Sequence, residues 1–164
     1  MDDGDETEIS AYHEAGHALV AVIVGAKVLR VTIEPEWDDG PQRFADVRIG
    51  WPNVRLTKQE LLEREVLIAL AGPAAEMIFQ GETLHPGFVP EWAMDWKTAW
   101  HMAKELVPDE KLRLQFLEQT TREVYHLLRE DQNWAALAAI VDELLAHQTL
   151  ESEQVHDVVS QWLR

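Results

Sequence analysis

The stretch AYHEAGHALVAVIVGA, residues 11–26, sets three titratable side chains, His13, Glu14 and His17, at the mouth of an apolar run. Asp5 or Thr7 suits the cap of a helix running from about Glu8, and Gly25 is the kind of residue found just past a helix end. On such a helix, residues four apart are offset by about 40°, so His13 and His17 project together, with Glu14 about 100° away from His13. Polar groups beside a segment destined for burial are costly unless something compensates them. Two imidazoles on one helix face do this by sharing a metal ion.

This is the H-E-x-x-H arrangement, in which the glutamate stays off the ion and handles a water molecule. With this composition the pattern arises by chance in roughly 3% of shuffled sequences, so its placement carries weight. It falls in a helix that leads into apolar residues, and Gly16 interrupts that helix. A mid-helix Gly costs about 1 kcal/mol relative to Ala, which points to a neighbour packed too closely for a side chain.

A catalytic zinc site takes a third protein ligand and keeps one position open. Asp95, Glu76, His85 and His101 are the candidates. Along its helix, Asp95 shares a face with Ala99, Met102, Ala103 and Leu106. A carboxylate in such a stripe is disfavoured unless a cation or another partner compensates it. Glu76, in AGPAAEMI, is the rival; its face also carries Glu65 and Gln80, and orienting a ligand histidine suits it better. His101 shares its face with Lys97, Lys104 and Glu105, as a solvated residue does, and His85 lies in a Pro/Gly loop.

The 164 residues, 46% hydrophobic, suffice for a single domain spanning 1–164 with a real core. The formal charge of −16 repels phosphate backbones and anionic headgroups, so neither nucleic acid nor membrane is expected as a partner. No apolar run reaches the roughly 18 residues of a membrane span. The acidic start MDDGDETE is unlike a basic targeting signal, so the expected location is cytoplasmic. The absence of cysteine leaves His, Asp and Glu to hold any metal.

Two β-branched segments, KVLRVTIE (27–34) and RFADVRIG (43–50), flank the turn EPEWDDGPQ and predict a hairpin. Thr57 and Glu60 form a capping box for a helix to about Gln80, bent near Gly72 and Pro73. Further helices are expected from Pro90 to Pro108, Asp109 to Arg129, Asn133 to Ala146, and Ser152 to the end. The fold class is mainly α with a small β-sheet (α+β), a helical domain with an N-terminal β-hairpin. Trp92, Trp96 and Trp100, at helical spacing, suit core packing or a pocket for a bulky side chain.

Several segments in order resemble the FtsH-type zinc peptidases, whose proteolytic domain is fused to an AAA+ ATPase. AYHEAGHALVA resembles their signature and KVLRVTIEP the strand after it. LAGPAAEMIFQG resembles their Gly-Gly-Arg-Ala-Ala-Glu-Glu helix, MDWKTAWHMAKELV their Asn-Asp helix, and the tail from Arg122 to Val159 their last helices. The resemblance implies a zinc-peptidase-like domain with Zn2+ held by His13, His17 and Asp95, Glu14 as catalytic base, and Glu76 as a supporting residue. The chain departs from the family at Met94, where Asn is usual, and at HPGFVPEW, which replaces a Ser/Thr/Gly-rich loop.

No P-loop pattern is present, so the expectation is a soluble, ATP-independent zinc metalloendopeptidase that hydrolyses peptides or unfolded proteins. The alternative is a catalytically weak or inactive peptidase-like protein serving as a binding partner or accessory subunit of a separate ATPase. Homo-oligomerisation and an ATPase partner are both compatible with the sequence. RFADVRIG is the expected sheet edge for an extended peptide.

Overall fold

The computed structural model describes residues 3–34, 46–52 and 55–163. Helix α1 (Asp3–Ile23) begins earlier than the cap reading expects. Asp5 and Glu6 lie near its start, where carboxylates are favoured by the helix dipole. At the far end Gly25 adopts a left-handed φ of 97°. Its N–H reaches Val22 O at 3.1 Å and the Ala26 N–H reaches Ala21 O at 2.9 Å, closing the helix as a Schellman motif.

Strands β1 (Lys27–Thr32) and β2 (Asp46–Gly50) pair antiparallel, as the hairpin reading expects. The connecting turn, and residues 43–45 of the expected second strand, lie outside the described residues. Helix α2 (Lys58–Gln80) starts with the Thr57 hydroxyl accepting the Glu60 N–H at 3.1 Å and ends at left-handed Gly81. It runs continuously through Gly72 and Pro73.

Two 3-10 turns, Pro86–Phe88 and Pro90–Trp92, lead into α3 (Ala93–Ala103). This helix is shorter at both ends than the Pro90-to-Pro108 expectation. Pro108 disfavours the helical conformation at Val107, and the freed carbonyls of Val107 and Pro108 are taken by the buried Arg113 guanidinium, at 2.9 and 2.7 Å. Helices α4 (Glu110–Arg129) and α5 (Asp131–His147) follow. Then come strand β3 (Thr149–Glu151) and helix α6 (Ser152–Trp162).

The sheet order is β2-β1-β3, with β3 antiparallel to β1. β3 has no counterpart in the sequence reading, because three residues carry no periodicity. The architecture is mainly helical with a small antiparallel sheet, the expected class. Among the described residues, no helix is long and apolar enough to cross a membrane.

Helix α1 is the central element: Ala11, Ala15, Ala18 and Leu19 are fully buried, and it packs most extensively on α2 and α5. The approach to α2 is close because of Gly16. A Cβ there would lie 2.5 Å from Ala71 O and 2.7 Å from Ala75 Cβ, both rigid neighbours. Gly16→Ala is therefore expected to destabilise the fold by about 1–3 kcal/mol, despite the better helix propensity of Ala. A urea titration showing equal or greater stability would contradict this packing.

Candidate metal centre

Three helices build the site. α1 supplies His13, Glu14 and His17, at 3%, 5% and 8% exposure. Their potential ligand atoms all lie within 4.8 Å of one another. α3 brings Asp95 in its first turn: Oδ2 is 2.8 Å from His13 Nε2 and Oδ1 is 3.5 Å from His17 Nε2. The two Nε2 atoms are 3.1 Å apart. Donors at tetrahedral positions about 2.0–2.1 Å from zinc are separated by roughly 3.3 Å. The three distances bracket that spacing, with Asp95 facing each histidine through a different oxygen.

The outer nitrogens fix the rings. His17 Nδ1 lies 2.6 Å from the Ile68 carbonyl, which can only accept, so Nδ1 carries the proton and Nε2 presents its lone pair to the centre. Glu76 Oε1 lies 3.0 Å from His13 Nδ1, close enough for an ion pair though off the line of the ring N–H. Glu76 thus sits behind His13, on the side opposite the atom that faces Asp95.

α2 makes room for the centre. A Cβ at Gly72 would lie 2.6 Å from His13 Nε2 and closer still to His17 Nε2. The missing side chain leaves a cradle at nearly coordination distance from both imidazoles. Two ring nitrogens, neutral once they coordinate, and a carboxylate facing one another are the donor set of a divalent-cation site. The residues fit zinc. The sequence reading placed Gly72 only at a helix bend; the glycine gives no signal of this role without knowing which face of α2 meets α1.

Without a cation, protons hold the cluster together. Burial pushes the His13 imidazolium down, but the carboxylates of Asp95 and Glu76 on either side of the ring outweigh it and hold its pKa up at about 9, against an ordinary 6.5. His17 is also raised: burial opposes its charge, and the Asp95 carboxylate overrides that. Burial would raise Asp95, yet the two histidines take it well below the usual carboxylate range. Burial raises Glu14, with His13 and His17 opposing.

These shifts set a pH dependence. A group with a raised folded pKa stabilises below its ordinary value and loses that contribution as pH climbs through the folded one. The metal-free protein is therefore expected to lose stability between about pH 6.5 and 9, as His13 gives up its proton. The urea midpoint should fall across that window; a flat or rising midpoint would contradict the carboxylate arrangement around His13. A cation bound here would displace the same protons, so its affinity is expected to strengthen as pH rises.

The other candidates lie elsewhere. His85 pairs with Glu118 at 3.1 Å and accepts the Gly87 N–H at 3.0 Å, and His101 is exposed on α3. Of the tryptophan stripe, Trp96 meets the His85 ring and Trp100 lies under the Arg113 guanidinium, whereas Trp92 is fully buried.

No family model matches the chain. It is 26% identical, over 196 aligned positions, to the ATP-dependent zinc metalloprotease FtsH 3 of Symbiobacterium thermophilum. That alignment covers 96% of this chain and 30% of the relative, so the chain spans less than a third of that protein's length. The likeness is to an FtsH-type protease, and the His13-Glu14-His17 group fits an H-E-x-x-H metal site.

Proposed function

We propose that this chain is a zinc-dependent peptidase that cleaves peptides or unfolded polypeptides without ATP, with His13, His17 and Asp95 as ligands and Glu14 as general base. The observation that carries this reading is the convergence of His13 Nε2, His17 Nε2 and Asp95 on one point beside Gly72, with Glu14 adjacent. A purely structural site has no use for that glutamate.

A zinc ion bound here supplies Lewis-acid polarisation of the scissile carbonyl and acidifies water. Glu14 takes the proton of the attacking water and passes it to the leaving amine. Its raised pKa, caused first by burial, makes it a better proton acceptor than a solvated glutamate. The Ile68 carbonyl beside His17 Nδ1 and the Glu76 carboxylate beside His13 Nδ1 orient the two imidazoles from behind.

Among the described residues β2 lies on the edge of the sheet, where an extended peptide would add as a further strand through backbone hydrogen bonds. Helix α1, which carries Glu14, packs against β2, so a peptide docked along this edge would lie on the strand next to the helix of the general base.

The test is hydrolysis of an extended-peptide library by the purified full chain without ATP. Cleavage should cease with a zinc chelator and return with added zinc; cleavage indifferent to the chelator, or a protein that binds no zinc, overturns the proposal. Asp95→Ala is expected to weaken zinc binding by about 100-fold, and Glu76→Ala by about 10-fold, as for a supporting contact. The reverse order, read by chelator competition, would transfer the ligand role to Glu76.

A further inference from the structure

Trp92 is 1% exposed and sits at the junction between the Pro90–Trp92 turn and α3. Its indole Nε1–H donates to Glu76 Oε2 at 2.6 Å, while the other oxygen of the same carboxylate lies 3.0 Å from His13 Nδ1. We propose that Trp92 is a positioning residue of the metal centre: its N–H holds Glu76 in the orientation that faces His13, and the same contact ties α2 to the start of the helix that delivers Asp95. The proposal rests on the zinc-site reading above.

The argument is one of donors and acceptors. Glu76 is 3% exposed, and a carboxylate so buried keeps its charge only where donors reach its oxygens. An indole can donate and never accept, so this contact has one polarity and engages Oε2, leaving Oε1 for the imidazole. The large ring has little freedom in the core, so the N–H is a fixed point rather than one rotamer among several. Trp92 also precedes Asp95 by less than one helical turn. A single side chain therefore bears on two ligands from different helices: His13 through Glu76, and Asp95 through the backbone. The other tryptophans of the stripe are engaged with His85 and Arg113.

Trp92→Phe keeps an aromatic ring and removes the N–H. In the full chain, zinc affinity measured by chelator competition should fall by about 10-fold, the scale of a lost supporting contact. In a Glu76→Ala background the same change should alter zinc affinity by less than about twofold, because the residue through which Trp92 acts is gone. Equal losses in both backgrounds would mean that Trp92 acts only as core, and no loss in either would remove it from the site; both overturn the proposal. A second measurement needs no variant. In the wild-type protein the Trp92 indole N–H proton resonance should lie downfield and shift on titration with zinc alone; a resonance unmoved at saturation also overturns the proposal. Wild-type protein that binds no zinc removes the zinc reading itself, a result distinct from intact zinc binding with an indifferent Trp92.

Discussion

Glu14→Gln leaves zinc affinity within about twofold of wild type and lowers kcat for peptide hydrolysis by roughly 10²–10⁴, the range for removal of a positioned general base. The two effects separate because Glu14 projects from α1 about 100° away from His13, so the proposed ligand set of two imidazoles and Asp95 survives the substitution. Gln is nearly isosteric but cannot accept the proton of water. Its neutrality also removes a buried carboxylate whose pKa is raised mainly by desolvation, so the variant should fold at least as well as wild type. The measurement is steady-state cleavage beside metal content on the same preparation. Equal cleavage by both proteins would end the enzyme assignment, and zinc lost from the variant would make Glu14 a ligand.

Gly72→Ala is expected to abolish measurable zinc binding, a loss above about 10³-fold and larger than that of a supporting contact. The added methyl occupies the cradle itself, 2.6 Å from His13 Nε2, and α2 cannot retreat because Gly16 locks it against α1 through Ala71 and Ala75. In the metal-free protein the same methyl meets both rings, so a destabilisation of about 1–3 kcal/mol accompanies the loss. Zinc affinity near wild type would show that the ion sits somewhere other than between the two Nε2 atoms. Far-UV circular dichroism on the same sample distinguishes a blocked site from an unfolded chain.

How far the sequence foretold this arrangement depends on the kind of information involved. Periodicity alone puts His13 and His17 on one face, and it also flags Gly16, whose cost within a helix implies the close neighbour found in α2. The hairpin of β1 and β2 follows from β-branched runs, and the end of α1 from Gly25. What composition and spacing do not contain is which face of α2 meets α1, and hence that Gly72 rather than a side chain stands over the imidazoles. The Trp92–Glu76 contact is likewise invisible, because it joins residues 16 apart in sequence across two elements. The third helix is shorter than its apolar pattern, since Pro108 and the Arg113 clamp on the preceding carbonyls impose the ending from outside the helix. β3 is recruited by the exposed flank of β1, a tertiary cause with no local signature.

The sheet order has a further bearing on how copies of the chain meet. One flank is the three-residue β3, which runs directly into α6, and a strand so short is a poor template for another chain. The opposite flank, β2, is the longer one. Two molecules joined through β2 would face each other about a twofold axis and use up that flank in both, leaving only stubs outward. Pairing of that kind would stop at two copies, so a β2 flank that is open among the described residues would not lead to an endless ribbon.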